Sequence, residues 1–383
     1  MIIGFDGKRA VSNMTGLGNY SRLVIERLAL ENAGDRILVY TPALRDNPRL
    51  SPLRALPNVE FRLPPPQGFH GSLWRTFGIT NNLQADKVDI YHGLSNELPL
   101  NIRKSGVPAV VTMHDVIYRT MPECYKLIDR RIYDFKYGHA CRNADRIIAV
   151  SECTKRDVSR FYDIDPDKID VIYQGCDESF RRVWSDEEIA ALRRRLDLPE
   201  RYILQVGTIE RRKNLELTIR ALSAVPADVH LVVVGRDHHA YKPYILRLAS
   251  ELGVTDRIHY YEGLDFKDLP GVNRAAKVIA YPSRYEGFGI PVVEGLESCR
   301  PVVAAKGSCL EEAGGPATTY VSPDSPKEMA QALDHLLKIS TEEEKRITEE
   351  GKRYAAGFDK SRMASAIMDT YGRAIDARKS SDK

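Results

Sequence analysis

Residues 278–304 read VIAYPSRYEGFGIPVVEGLESCRPVVA. Two short apolar runs, at 278–281 and 301–304, flank a glycine-containing loop and a helical pattern over residues 292–298. The apolar runs do not alternate with polar residues, which is typical of strands in a sheet covered on both faces. A strand, a helix and a second strand in this order predict a parallel strand pair, the unit from which doubly wound sheets are built.

The same alternation extends over the whole chain in two series. The first series predicts strands at residues 2–6, 36–41, 88–92, 109–113, 146–150 and 169–173. The second predicts strands at residues 202–206, 229–234, 258–261, 278–281, 301–304 and 318–321. We therefore predict an α/β protein with two Rossmann-like, doubly wound parallel-sheet domains that face each other across a cleft. The predicted domains are 1–180 and 190–360, followed by a C-terminal helix at 361–383 that is a candidate to cross back to the N-terminal domain.

Composition excludes several classes of function. The 383 residues carry 56 lysines and arginines against 53 acids, a formal net charge of +3, whereas nucleic-acid-binding domains cluster basic residues more strongly. The 6 cysteines contain no C-x-x-C pair, which argues against a zinc or redox motif. The opening MIIGFD is too short for a signal-peptide core, and no apolar run reaches the roughly 20 residues of a membrane span. We expect a cytoplasmic protein with no nucleic-acid partner, and any contact with the inner face of the plasma membrane to be peripheral.

The first candidate binding loop is TGLGNY at residues 15–20, after the first predicted strand and before a helix. Gly16 and Gly18 let backbone amides approach an anion, and a helix N-terminus adds positive potential. The loop is therefore a candidate for phosphate or sugar binding, and a structural turn is the alternative. A dinucleotide-binding fingerprint needs a third glycine where this chain has Ser21.

A second candidate is His114, which directly follows the predicted strand at 109–113. A single histidine is more often structural, but ligands of doubly wound sheets bind at the carboxyl ends of strands. This position favours a functional interpretation. His92, after an earlier strand, is a similar but weaker candidate.

The third candidate is GTIERRKN at residues 207–214, between a predicted strand and a helix. Three consecutive cations repel one another just before a helix N-terminus. The arrangement is favourable when a diphosphate lies among them, because charge-assisted hydrogen bonds to an anion are strong. A solvated loop is the alternative.

The fourth candidate is the loop within YPSRYEGFGIPVVEG at residues 281–295. Its glycines predict a tight turn, and Pro291 is suited to the start of a helix, so the amides of Gly289 and Ile290 are expected to be free to bind oxygen atoms. Glu286 lies in the loop and Glu294 is expected in the first helical turn. A carboxylate can accept two hydrogen bonds and so fits the paired hydroxyls of a ribose. The alternatives are a solvated loop acid for Glu286 and a residue that complements the helix dipole for Glu294.

Two further groups resemble metal ligands but are not expected to bind one. Asp163, Asp165 and Asp167 lie around a proline that indicates a turn. His238 and His239 are adjacent and lack a third ligand. We predict no metal site.

These segments resemble the retaining glycosyltransferases of family 4, which have the two-domain GT-B fold. Residues 286–294, EGFGIPVVE, match the E-x7-E motif of that family. The segment at 206–214 resembles its phosphate loop, and 16–20 and 111–115 resemble its N-terminal loops. The resemblance covers most of the chain and is most specific in the C-terminal half.

The resemblance implies a role for each candidate. Arg212 and Lys213 would neutralise the donor diphosphate, and Glu294 would hold the ribose. Glu286 would contact the hydroxyls of the donor sugar, and His114 would lie beside the transferred sugar. The residues implied in catalysis are His114, Lys213 and Glu286. Those implied in binding the nucleotide-sugar donor are Gly16, Gly18, Arg212, Lys213, Gly287, Phe288, Gly289, Ile290 and Glu294.

The resemblance also implies a reaction course. Front-side attack would retain the anomeric configuration, a donor phosphate oxygen would take the acceptor proton, and neither a metal nor another cofactor would be required. One departure concerns Thr208, where many relatives carry an arginine. Arg212 is expected to compensate for it.

The phrase VGTIERRKNL resembles a subgroup of bacterial mannosyl- and rhamnosyltransferases of surface-polysaccharide assembly, which includes lipopolysaccharide. GDP-mannose is therefore the first donor expected, with UDP-glucose or a rhamnose-type donor as alternatives. The acceptor implied is an oligosaccharide, commonly lipid-linked. A GT-B nucleotide-sugar 2-epimerase and a non-catalytic binding protein are competing interpretations.

Two segments are candidates to touch lipid or acceptor. Residues 68–77 carry Phe69, Trp74 and Phe77, and residues 126–142 form a basic helical pattern. Ordinary packing and a solvated face are the alternatives.

Overall fold

The computed structural model describes residues 1–66, 68, 70–237 and 240–381. The chain divides into two compact units. The first comprises residues 1–174 together with the C-terminal segment from Asp359, and the second comprises Gly175–Phe358.

The first unit is built on a seven-stranded parallel sheet with the order β3-β2-β1-β4-β5-β6-β7. Its strands are β1 (Ile2–Asp6), β2 (Arg36–Tyr40), β3 (Val59–Arg62), β4 (Ile90–Gly93), β5 (Ala109–Met113), β6 (Arg146–Ala149) and β7 (Ile169–Val171). Its first eight helices are α1 (Lys8–Ser12), α2 (Gly16–Glu31), α3 (Ser51–Arg54), α4 (Gly71–Leu73), α5 (Ile79–Ala85), α6 (Ile117–Thr120), α7 (Leu127–Asn143) and α8 (Glu152–Tyr162). A π-helical turn, Trp74–Gly78, joins α4 to α5.

The second unit is built on a six-stranded parallel sheet with the order β10-β9-β8-β11-β12-β13. Its strands are β8 (Tyr202–Val206), β9 (His230–Val234), β10 (Ile258–Tyr261), β11 (Val278–Tyr281), β12 (Val302–Ala305) and β13 (Thr319–Val321). Its helices are α9 (Asp186–Leu196), α10 (Leu215–Leu222), α11 (Lys242–Glu251), α12 (Leu269–Ala275), α13 (Ile290–Glu297), α14 (Leu310–Gly314), α15 (Pro326–Lys338) and α16 (Thr341–Ala355).

The last helix, α17 (Lys360–Ser381), returns to the first unit and packs against α2 and β6. Its Tyr371 is fully buried, and the Tyr371 hydroxyl lies 2.8 Å from Nδ1 of His92 on β4. Thr370 donates a hydrogen bond to Asp170 on β7. The first unit therefore contains a helix from the far end of the chain.

The predicted α/β class with two doubly wound parallel sheets is confirmed. All five residues of β5 are buried, as the apolar, unalternating pattern predicts for a strand covered on both faces. In each sheet the strand order reverses beside the first strand, between β1 and β4 and between β8 and β11. Ligands of doubly wound sheets bind at the carboxyl ends of the strands at such a reversal.

Two local predictions were wrong in detail. The edge strand β3 was not predicted, because Val59 and Phe61 alternate with Glu60 and Arg62 and form no apolar run. The loop predicted at 15–20 is mostly the first turn of α2, which begins at Gly16. The Asn13 side chain accepts hydrogen bonds from the amides of Thr15 and Gly18 at that turn.

None of the described helices is both long enough and apolar enough to cross a bilayer.

Candidate active site

Two loops of the second unit meet at the strand reversal between β8 and β11. After β8, the chain forms a 3₁₀ turn at Arg211–Lys213, and Asn214 follows in the left-handed conformation with φ of 56°. Asparagine tolerates this conformation better than most residues. The side-chain amide of Asn214 donates hydrogen bonds to the backbone carbonyls of Pro282 and Pro323, at 3.1 and 2.8 Å. The amide of Arg284 donates to the carbonyl of Arg212 at 2.9 Å. The loop after β8 is thus tied to the loop after β11.

These loops bring Arg212, Lys213 and Glu286 together. Lys213 Nζ lies 2.6 Å from Oε1 of Glu286, and Arg212 Nη1 lies 2.9 Å from its Oε2. The hydroxyl of Tyr281, the last residue of β11, accepts from Lys213 Nζ at 2.7 Å and donates to Glu286 at 3.2 Å. One carboxylate is therefore held by two cations and a phenol, and the site keeps two cations side by side.

The electrostatics of this cluster follow from burial and pairing. Burial alone would raise the pKa of Glu286, but the charges of Arg212 and Lys213 outweigh it and lower that pKa to about 2. Burial lowers the pKa of Lys213, and the neighbouring Arg212 lowers it further, while Glu286 opposes the change. Burial raises the pKa of Tyr281 well above its ordinary value, so the phenol stays neutral. At neutral pH Glu286 is a fixed anion and a weak base.

Glu210 joins Thr208 to this cluster. Its Oε1 accepts from the Thr208 hydroxyl at 2.9 Å and from Arg212 Nη2 at 2.6 Å. Thr208 is therefore linked through one carboxylate to Arg212, the residue expected to compensate for it. Arg211 is exposed and makes no ion pair within the described residues.

The N-terminus of α13 offers backbone donors beside Glu286. Gly289 caps the helix at φ of 108°, a conformation that disfavours a side chain. Within the described part of the chain, the amides of Gly289 and Ile290 have no hydrogen-bonding partner, as the sequence suggested. The Phe288 side chain points into the unit, where its ring lies 5.2 Å from that of Phe358. Gly287 lies in the same loop, directly after Glu286.

Glu294 lies in the second turn of α13, not in the first, because the helix begins at Ile290. The helix dipole stabilises an acidic residue only in the first turn, so it does not explain an acid at position 294. The side chain is nearly buried, and among the described residues its carboxylate has no hydrogen-bonding partner. Burial, helped by the nearby Asp177, raises the pKa of Glu294 to about 8. A buried acid without a partner is costly to ionise, and hydroxyl donors from a ligand would relieve that cost.

In the first unit, His114 follows β5 and is buried. Its Nε2 donates to the carbonyl of Leu94 at 2.9 Å, and the Tyr20 ring meets it edge-on at 4.6 Å. The side chain of Asn96 accepts from the His114 amide at 2.7 Å. Burial lowers the pKa of His114 to about 4, so the ring is neutral and Nδ1 is an acceptor.

His92 has both ring nitrogens engaged, Nδ1 by Tyr371 and Nε2 by Thr112, each at 2.8 Å. It is a buried structural residue, and the functional interpretation of it was wrong.

At the start of α2, Gly16 is exposed with open space beside it. Gly18 is packed so closely that a side chain would lie 1.9 Å from the Asn13 carbonyl oxygen. Gly18 therefore permits the tight approach of α2 to the preceding turn.

The remaining candidates separate clearly. Trp74 is buried and donates to Asn82 at 3.0 Å, so ordinary packing explains it, whereas Phe77 is 39% exposed. Phe69, His238 and His239 lie outside the described residues. Asp165 caps a short 3₁₀ turn by accepting from the amide of Asp167, as turn chemistry predicts. In the part of the chain that the structure describes, no three His, Cys, Asp or Glu residues cluster as metal ligands.

Sequence reasoning missed several residues that shape the site. Tyr281 could have been found by its position at the carboxyl end of a strand, the same signal that identified His114. Glu210 and Asn214 lie inside a stretch that was singled out for its cations alone. Asn96 carried no sequence signal, because its role comes from its contact with His114.

Two family models match the chain, one in each half. Residues 15–180 match the model described as Glycosyltransferase Family 4, and residues 188–354 match the one described as Glycosyl transferases group 1. Together with the two doubly wound sheets, these matches define a protein of the GT-B class. Each half of the chain therefore matches a glycosyltransferase family model, 166 residues in the first half and 167 in the second.

Individual relatives agree with this class. D-inositol 3-phosphate glycosyltransferase of Mycobacterium tuberculosis is 33% identical over 240 residues, which are 61% of this chain and 49% of the relative. The chain thus spans about half the length of the curated relatives it matches. The crystal structure of Anabaena Alr3699/HepE in complex with UDP and glucose has a TM-score of 0.77 at 22% identity, covering 97% of this chain and 99% of that one. WaaG, a glycosyltransferase involved in lipopolysaccharide biosynthesis, has a TM-score of 0.71 at 17% identity, covering 93% and 95%. The two structural likenesses show the fold.

Proposed function

We propose that the protein transfers a hexose from a nucleotide-diphosphate donor to a hydroxyl of a growing, lipid-linked oligosaccharide, and that it retains the anomeric configuration and needs no metal. One observation carries the proposal. Arg212 and Lys213 converge on one carboxylate, that of Glu286, beside the unpaired amides of Gly289 and Ile290. Two adjacent cations and free amides at a helix N-terminus are suited to a diphosphate.

The second unit would hold the donor at two points, its diphosphate and its ribose. Its diphosphate would share Lys213 and Arg212 with Glu286, so the cations already stand where the negative charge of the leaving group develops. Such preorganised charge is usually the largest electrostatic contribution to catalysis. Glu294 would accept from the ribose hydroxyls, which supply the hydrogen bonds that its buried carboxylate lacks.

The reaction would be a front-side displacement. The bond between the anomeric carbon and the phosphate oxygen breaks, and the acceptor oxygen bonds to the same face of that carbon. The acceptor proton passes to the departing diphosphate oxygen. Glu286, with a pKa of about 2 and two cationic partners, is too weak a base to take this proton, which supports the phosphate as acceptor. Neutral His114 would accept a hydrogen bond from the transferred sugar through Nδ1.

The donor is proposed as GDP-mannose, from the resemblance of residues 206–215 to mannosyl- and rhamnosyltransferases. UDP-glucose is the second candidate, because the structural neighbour HepE is described with UDP and glucose. The lipid-linked acceptor and a peripheral position at the cytoplasmic face of the membrane are proposed from the same resemblance. WaaG, with its role in lipopolysaccharide biosynthesis, supports that kind of acceptor.

The test is a donor panel with purified protein. Thermal shifts with GDP-mannose, UDP-glucose and a dTDP-sugar identify the donor, because a bound ligand raises apparent stability. Product analysis by NMR, with a lipid-linked acceptor and EDTA present, then reads the anomeric configuration. A retained glycoside is expected. An inverted glycoside contradicts the front-side course, and an epimerised free sugar supports the 2-epimerase interpretation instead.

A further inference from the structure

The outward side of α7 is unusually apolar. Leu127, Ile128, Ile132 and Phe135 on this helix are 59%, 72%, 45% and 60% exposed. In the described part of the chain, no other helical segment carries more than two exposed large apolar side chains. Contiguous exposed apolar surface of this kind marks an interaction site.

The spacing aligns these residues in one stripe. Ile128, Ile132 and Phe135 follow the i, i+4, i+7 pattern of a single helix face. The opposite face already packs on the core of the first unit, through Tyr133 and Tyr137. The core therefore does not need the outward stripe, and burying it requires something outside this unit.

Cations surround the stripe. Lys126, Arg130 and Arg131 form no ion pair within the described residues, and Arg131 lies exposed among the apolar side chains. On the same helix, Asp134 is taken by Arg119 and by the Tyr118 hydroxyl, so it does not neutralise them. Asp129 is the other acidic residue of α7. The surface combines apolar side chains with an excess of free positive charge.

We propose that α7 is the membrane-contacting element of this protein and that it lies in the headgroup region of a bilayer containing anionic lipids. Apolar side chains that reach the acyl boundary beside Lys and Arg are typical of interfacial helices, and anionic headgroups attract the cations. A second copy of the chain fits less well, since a two-fold contact through this face sets like cations opposite each other. The inference rests on the peripheral membrane contact of the proposed function and names the surface that makes it.

The experiment measures binding to vesicles by sedimentation, with full-length protein. One set of vesicles contains phosphatidylcholine and phosphatidylglycerol, and the other contains phosphatidylcholine alone. The apolar variant is Ile128→Ser with Phe135→Ser, and the charge variant is Arg130→Gln with Arg131→Gln. Leu246→Ser is the matched control, because Leu246 is 42% exposed on α11 of the other unit. Thermal unfolding and donor turnover without vesicles check that each variant is folded and active.

We expect the wild type and Leu246→Ser to bind the anionic vesicles. The apolar and charge variants should each bind about tenfold or more weakly, with donor turnover in solution unchanged. Full binding by both variants would overturn the assignment of α7 while leaving the membrane contact intact. No binding by the wild type would overturn both, without touching the transferase proposal, which solution turnover tests separately. Self-association that the apolar variant abolishes, with no vesicle binding, would assign the face to a second copy instead.

Discussion

The nearly buried carboxylate of Glu294 gives a quantitative prediction for Glu294→Gln. The pKa of Glu294 is raised from 4.5 to about 8 by burial and then by Asp177. Between these two values the folded protein keeps a proton that the unfolded chain has lost. The free energy of unfolding therefore falls by about 1.4 kcal/mol for each pH unit in that window, and by about 5 kcal/mol in all.

Glutamine has nearly the same shape and does not ionise. The stability of Glu294→Gln relative to the wild type should therefore rise from about 1 kcal/mol at pH 5 to about 3 kcal/mol at pH 7. Above pH 8 the difference should stop growing. Every other titrating group is common to the two proteins and cancels in the comparison.

The assay is urea unfolding at a series of pH values from 5 to 9, followed by tryptophan fluorescence. Trp184 belongs to the second unit and so reports the unit that contains Glu294. Glu251→Gln is the control, since Glu251 is exposed. Parallel pH profiles for the wild type and Glu294→Gln would refute the reasoning, because the carboxylate would then ionise in the folded state as easily as in the unfolded one.

Three further outcomes are expected. Lys213→Ala should lower the rate of sugar transfer by about 10²-fold or more, because it removes a preorganised charge contact. The control variant Lys267→Ala, on the surface of the same unit, should keep the wild-type rate. Near-normal turnover of Lys213→Ala would contradict the diphosphate role of Lys213. Gly289→Ala should lower the free energy of unfolding in urea by about 1–2 kcal/mol or more, because φ is 108° and the added carbon would lie 2.6 Å from Leu310 Cδ2. The control variant Gly34→Ala should leave stability unchanged, because open space surrounds Gly34. Equal stability of the two variants would show that the turn at Gly289 tolerates a side chain. Transfer should continue in EDTA, and a strict need for a divalent ion would remove the metal-free proposal.

The sequence predicted the fold well where strands are apolar on both faces. β5 and β11 are fully buried, and each is found at its predicted bounds. Among the described strands, β3 lies at the edge of its sheet and pairs with β2 alone. Its Glu60 is partly exposed and pairs with Arg36 at 2.5 Å. Such a strand carries no continuous apolar run for a sequence pattern to detect.

The site was predictable as a set of loops but not as a network. The cations at 211–213 and the acid Glu286 were singled out separately, and their contact joins residues 73 positions apart for Lys213. The role of Tyr281 depends on that contact, because its hydroxyl bridges the two charged partners. Trp74 shows the reverse case, since sequence position allowed a lipid contact and the fold buries the ring instead.

The return of α17 to the first unit has a consequence for biosynthesis. His92 finds its partner Tyr371 only after 279 more positions have been made, and the intervening residues include the whole second unit. The second unit is formed by one continuous segment, so it can fold on the ribosome before α17 has been synthesised. The sheet of the first unit lacks that helix until synthesis reaches residues 360–381. A nascent chain arrested within the second unit would expose the apolar groove that Met363, Ile367 and Tyr371 normally fill, which makes it a substrate for chaperones.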